Sequence, residues 1–186
     1  MITTAELSAA LPHLLAAPRD DAPIFGLCLR PGYGQRSHPD RLTLTRAMGI
    51  PGERWTTAPW LRLPDGSPDP RIQISILPKR MLDLVWRPGD AAPHPGDPIV
   101  ADINTTLENL PTGSLIAAGT ALLRVSDLWN DACVKWKARY GQDALDFIRH
   151  APELRLRGVL CEIVEDGEVL ITDRLRVVSR ERPIRP

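Results

Sequence analysis

Leucines at positions 7, 11, 14 and 15 recur at helical spacing behind Thr3-Thr4-Ala5-Glu6, a capping-box pattern, and predict a helix over residues 3–17. Pro12 falls inside that pattern and predicts a split or a kink. From residue 24 the pattern shortens. Residues 24–30 read as a first strand, ended by Pro31-Gly32-Tyr33-Gly34. Residues 41–45 alternate polar and apolar with period two, as a half-buried strand does. Arg71 opens a third strand over 72–77, and Pro78 starts a short helix with Met81, Leu82 and Val85 on its apolar side. Residues 87–98, rich in proline and without periodicity, form a connection. Further strands are predicted at 99–103, 120–125, 154–164, 169–171 and 174–178, with a helix at 142–148. Asn109-Leu110-Pro111-Thr112-Gly113 reads as a turn, and Asp166-Gly167 as a hairpin turn.

Short strands with turn signals, few helices and 19 prolines predict a mainly β fold, a barrel or sandwich, in preference to a βαβ sheet. The expected organisation is a helical lead-in over 1–20, a β-barrel domain over 21–180 and a frayed tail over 181–186.

Composition narrows the function classes. The 186 residues carry 23 basic and 23 acidic side chains, so the net charge is zero. That argues against a global attraction to nucleic acid or to an anionic membrane, and leaves room for a local basic pocket. No run reaches transmembrane length and no secretory signal pattern opens the chain, so the expected location is the cytoplasm. Cys28, Cys133 and Cys161 are sparse and odd in number, which fits free thiols in a reducing compartment.

Nucleotide-loop and hydrolase-elbow motifs are absent. His13, His38, His94 and His150 are scattered, with no spacing that suggests a His-based zinc site. Cys28 and Cys161 sit inside strand-like runs and read as core residues. Cys133 differs. It follows Asn130-Asp131-Ala132, and Lys135, Lys137 and Arg139 come after it at alternate positions. Cations favour the thiolate, the nucleophilic and metal-binding form of sulfur. If Asn130 or Asp131 caps a helix, Cys133 lies in its first turn.

Several stretches together resemble the MOSC domain, named after the C-terminal domain of molybdenum cofactor sulfurase. The run from Leu44 to Trp55 resembles its G-x-x-G-D-R-[HW] signature, with Glu53 in place of the usual Asp. Arg71-Ile72-Gln73-Ile74-Ser75 resembles its R-Q-V-S strand, and Asn109-Leu110-Pro111-Thr112-Gly113 its N-L-x-x-G turn. Ala118 to Val125 resembles the strand that leads to the characteristic cysteine, and Cys133 falls where that cysteine belongs. Arg157-Gly158-Val159 and Gly167-Glu168-Val169 resemble the closing R-G…G-x-V-x-x-G-D hairpin, with Thr172-Asp173 for its last Gly-Asp. Asn130-Asp131-Ala132 stands where Pro, His and Gly are common in short bacterial members. The similarity spans residues 24–178.

The resemblance implies a β-barrel of the pyruvate kinase barrel type with a few flanking helices. It implies a molybdenum cofactor, a molybdopterin, with Cys133 as catalytic thiol and metal ligand. Arg54, Arg71, Lys135, Arg139 and Arg157 are the implied contacts to the pterin phosphate, and Gln73 or Asn109 would orient the cofactor. The implied activity is reduction of N-hydroxylated or related small molecules with electrons from a partner protein. The alternative is a non-catalytic module that binds the cofactor or carries sulfur as a persulfide on Cys133, served by a sulfur-donor protein.

Overall fold

The computed structural model describes residues 1–180; the expected tail over 181–186 lies outside them. The capping box forms at its start. Glu6 N–H donates to Thr3 Oγ1 at 3.3 Å, and the Glu6 carboxylate accepts the Thr3 N–H at 2.8 Å. Helix α1 (Thr4–Leu15) then runs unbroken through Pro12. The predicted split does not occur. Pro12 removes only its own N–H from the ladder, the Ala16 N–H still donates to Pro12 O at 3.1 Å, and Leu7 and Leu14 are buried against the body.

Nine strands follow: β1 (Ala22–Leu27), β2 (Arg41–Leu44), β3 (Ile74–Pro78), β4 (Ile99–Ala101), β5 (Leu115–Ala118), β6 (Ala121–Trp129), β7 (Val159–Glu165), β8 (Gly167–Leu170) and β9 (Arg174–Ser179). Helix α2 (Lys79–Val85) lies between β3 and β4, and helices α3 (Val134–Tyr140) and α4 (Gln142–His150) lie between β6 and β7. Seven strands close a barrel in the order β1-β4-β3-β7-β6-β5-β9, which β1 and β9 complete by pairing Ala22 with Leu175. All neighbours are antiparallel except β3 and β4, which α2 joins by a crossover. The mainly β barrel with flanking helices is therefore the fold.

The barrel interior is filled by alternate side chains, among them Ile24, Ile74, Ile76, Ile116, Leu123, Cys161 and Ile163. A second apolar cluster sits outside the barrel, where Leu7 and Leu14 of α1, Met81 of α2, Trp136 and Tyr140 of α3 and Ile148 of α4 pack together. Among the described residues no helix is long and apolar enough to cross a membrane.

Four local expectations change. Arg71 does not open a strand; Pro70–Ile72 form a 3-10 turn, because the Asp69 carboxylate accepts the Arg71 N–H at 2.9 Å and Pro70 is preset for helical φ. The run from 154 to 164 is not one strand, since Pro152–Leu154 make a 3-10 turn and β7 starts only at Val159. Gly158 between them has φ +90°, and a Cβ there would lie 1.9 Å from Ile76 O, so only glycine fits this approach of β7 to β3. Asp166-Gly167 is no hairpin turn. β8 leaves β7 and pairs with β2, and Gly167 does not take a positive φ. Its need is closeness: a Cβ would meet Ala121 N at 2.4 Å. Lastly, neither Asn130 nor Asp131 caps α3; Cys133 itself occupies the N-cap position.

Candidate functional site

A cleft of about 530 Å³ opens at one rim of the barrel, within the usual range for small-molecule sites. Its walls come from six places in the sequence. The loop after β1 supplies Arg30, Tyr33 and Arg36; the segment after β2 supplies Arg54; β3 and the loop before β4 supply Ser75 and Asp97. The segment from Trp129 to Arg139 supplies Cys133, Lys135 and Arg139, and Arg157 enters from just before β7.

Each charged group is held by an identifiable partner. Buried Glu53 lies 2.9 Å from Arg30 Nε and accepts the Trp55 N–H at 2.6 Å, so the stretch after β2 is braced from inside and Arg54 is turned to the cleft. Asp97 Oδ1 accepts from Arg157 Nη1 at 2.9 Å and from Ser75 Oγ at 2.7 Å. Burial works to raise this carboxyl, but Arg157, Ser75 and Arg30 together hold it below its ordinary range. The Arg157 guanidinium lies over the Trp136 ring at 4.6 Å. Tyr33 receives the Arg54 guanidinium over its ring at 5.2 Å and the Lys135 ammonium at 4.5 Å. Lys135 Nζ also donates to the Tyr33 hydroxyl oxygen at 3.0 Å, and that hydrogen bond, with the Lys135 charge, lowers the tyrosine below its ordinary value.

Six cations line the cleft. Arg30 and Arg157 are paired with Glu53 and Asp97. Arg36, Arg54, Lys135 and Arg139 have no carboxylate partner among the described residues. Beside them Cys133 is an exposed free thiol, without a side-chain capping bond. Ala132, the residue before it, has φ +61°, a region that favours glycine.

The cleft brings together five of the residues singled out from the sequence: Cys133, Arg54, Lys135, Arg139 and Arg157. Three others lie elsewhere. Arg71 is tied to Asp69 at 2.7 Å and Asp127 at 3.2 Å and is not part of the cleft lining. Gln73 is buried, with Nε2 donating to Arg46 O and Oε1 accepting from Ile163 N–H, so it stitches the β2 extension to β7. Asn109 is fully buried and donates to Arg19 O and Asn104 O while accepting from Arg180. These two amides serve the fold. Near a turn, Asp97 reads from the sequence as a solvated or capping residue, whereas it is buried; Arg30, Tyr33 and Arg36 were missed. Only the loop after β1, with its Arg-Pro-Gly-Tyr-Gly-Gln-Arg run, carried a signal that could have pointed to them.

The other two cysteines are buried, and burial pushes the Cys28 thiol up to about 11 and the Cys161 thiol to about 12. Cys161 points into the barrel core. Cys28 lies just past β1, and its Sγ and a ring nitrogen from each of His38 and His94 fall within 4.8 Å of one another. Two of the four scattered histidines thus converge in space.

The fold is a known class of closed barrel. Among solved structures, the chain is similar to the YUAD protein from Bacillus subtilis, at 24% identity and a TM-score of 0.59, over 83% of this chain and 93% of that one. It is also similar to YiiM from Escherichia coli, at 20% identity and a TM-score of 0.56, over 86% of this chain and 70% of that one. YiiM from Geobacillus stearothermophilus matches at 16% identity and a TM-score of 0.55, over 86% and 76%. These likenesses show a shared fold. No family model and no curated protein matches the chain.

Proposed function

We propose that this chain is a MOSC-type domain that binds the phosphate of a molybdopterin in its basic cleft and ligates molybdenum through Cys133. The observation that supports this reading best is the set of four cations without carboxylate partners around one exposed thiol. The residues fit such a group. A phosphate needs charge-assisted donors, which Arg36, Arg54, Lys135 and Arg139 offer, and a soft sulfur ligand is what molybdenum takes from a protein. When bound, the group supplies a metal centre able to accept an oxygen atom and pass electrons. The chain's own residues hold and screen it. Arg54 and Lys135, fixed on Tyr33, and Arg139, anchored to Pro95 O at 3.4 Å, bind the anion. Trp60 and Trp129 wall the cleft with aromatic surface.

The activity that goes with this site is reduction of an N-hydroxylated small molecule, with oxygen leaving as water, electrons coming from an external donor protein and protons from solvent. The exposure of Cys133 equally suits a second reading, a sulfur carrier with a persulfide on that thiol and no turnover of its own. Elemental analysis and intact mass of protein from a cofactor-competent host decide between them. About one molybdenum per chain, lost in Cys133→Ser, supports the first reading. A persulfide mass on Cys133 without molybdenum supports the second. Neither metal nor persulfide defeats both.

A further inference from the structure

The Cys28, His38 and His94 cluster belongs to none of the roles above. Its members come from three segments: the end of β1, the loop before β2 and the loop between α2 and β4. Two of these loops also build cleft walls, through Gly32 to Arg36 and through Pro95 and Asp97. We propose that Cys28 Sγ and one imidazole nitrogen each of His38 and His94 bind a zinc ion that clamps the two loops together.

The donor set decides the metal class. One thiolate with two imidazoles suits a borderline-soft ion such as zinc, and no hard oxygen donor is in the set to favour magnesium or calcium. Three protein ligands leave the fourth tetrahedral position to water. With ordinary zinc–sulfur and zinc–nitrogen bonds, tetrahedral donors stand about 3.4–3.6 Å apart. The present spread of up to 4.8 Å therefore closes by at most about 1.4 Å, and exposed His38, on a loop, can supply that movement.

The rings show how the site is set. His38 Nδ1 lies 3.2 Å from Leu27 O; a carbonyl only accepts, so Nδ1 carries the proton and Nε2 presents its lone pair. That is the usual outer-sphere orientation of a metal-binding histidine. His94 packs edge-on against Trp86 and against His38, with centroids 5.0 and 5.1 Å apart. Its Nδ1 accepts the Gly96 N–H at 3.1 Å, so this ring is the ligand that must exchange a partner or a proton when the ion enters. Cys28 gives up its thiol proton to solvent, and a coordinated sulfur is held as thiolate by the metal itself. Arg30 and Arg36 act on this thiol against the dication but for the thiolate, and buried Asp97 acts the opposite way.

The proposal stands apart from the Cys133 reading, and so does its test. Untagged protein is stripped with a chelator and titrated with zinc by calorimetry and with cobalt(II) by absorption. One ion per chain is expected, with tetrahedral d–d bands and a thiolate-to-cobalt charge-transfer band that Cys28→Ser abolishes. His38→Ala, at an exposed position that leaves the core untouched, weakens zinc binding by at least about tenfold, and so does His94→Ala. Cys133→Ser leaves it unchanged. Absence of binding, unchanged affinity in His38→Ala, or loss of binding in Cys133→Ser alone overturns the proposal. Molybdenum content is not read in this experiment, so its failure is distinct from failure of the Cys133 reading.

Discussion

Replacing Arg157 by Ala removes the partner of a carboxylate that has almost no access to water. The two side chains are 12% and 3% exposed, and Arg157 Nη1 stands 2.9 Å from Asp97 Oδ1. Their mutual attraction offsets the desolvation of both; remove one, and Asp97 is left with Ser75 and the more distant Arg30. Breaking a buried pair in this way costs about 3–5 kcal/mol. At about 2–4 °C per kcal/mol for a chain of this size, melting should fall by roughly 6–20 °C. The pH dependence identifies the cause. In the wild type the folded-state pKa of Asp97 lies below its unfolded value. That contribution is present above the unfolded pKa and is lost as pH falls through the folded one. In Arg157→Ala, burial dominates and the folded pKa rises above the unfolded value of about 4. The variant's penalty is then full at neutral pH and relaxes as the carboxyl protonates. Thermal melts of both proteins from neutral pH down to about pH 4 should show the gap narrowing. The double variant Asp97→Asn with Arg157→Met should recover much of the loss, since an apolar or neutral replacement of both partners strands no charge. A loss under about 1 kcal/mol, or a gap that does not narrow with falling pH, would refute the reasoning.

Arg139→Ala should weaken calorimetric binding of inorganic pyrophosphate by about 1.5–3 kcal/mol, whereas Arg71→Ala, whose guanidinium is engaged by Asp69 and Asp127, should leave it unchanged. Alkylation of the native protein at pH 8, mapped by peptide, should label exposed Cys133 first; Cys28 and Cys161, both buried, should label only on unfolding. Ala132→Gly should stabilise the chain by about 1 kcal/mol in urea melts, because φ +61° costs a Cβ-bearing residue more than glycine; an unchanged midpoint would mean that the turn does not bear that strain.

The barrel was legible as short apolar runs bounded by turn formers, at residues 24–30, 72–77, 99–103 and 120–125. The polar–apolar alternation of Arg41 to Leu44 marks β2, which pairs with β8 outside the barrel. Strand β5 went unread because Leu115-Ile116-Ala117-Ala118 is apolar throughout. What misled was local chemistry that the tertiary structure overrode. Asp166-Gly167 has the composition of a hairpin turn, yet β8 finds its partner in β2, more than a hundred residues earlier, and Asp166 accepts the Arg46 N–H at 3.0 Å instead of closing a turn on itself. Gln73 and Asn109 were singled out by their motif positions. Both amides meet buried backbone groups that would otherwise be unpaired, so fold alone accounts for them. The half of the site that went unread or was misread, from Arg30 to Arg36 and Asp97, sits in loops without periodicity. Nothing in a linear pattern says which loops a closed barrel will gather at one rim. The same is true of Cys28, His38 and His94, which are adjacent only because β1, the segment before β2 and the loop before β4 meet there.

The charge arithmetic of the cleft carries the functional reading further than motif order does. A chain with equal numbers of acidic and basic groups has one carboxylate for each arginine and lysine. In the cleft it spends them selectively: Glu53 and Asp97, both buried, neutralise Arg30 and Arg157 inside the wall. The remaining cations are positioned without being neutralised. Arg36 donates to Gly34 O, Arg139 to Pro95 O, and Arg54 and Lys135 rest on the Tyr33 ring. Carbonyl oxygens and an aromatic face fix geometry and leave the charge in place. Four like charges held this way repel one another and cost stability, a cost that a bound anion would remove. Arg62, Arg87 and Lys137 also lack carboxylate partners among the described residues, so it is the gathering of four such cations in one cleft that supports an anion site there.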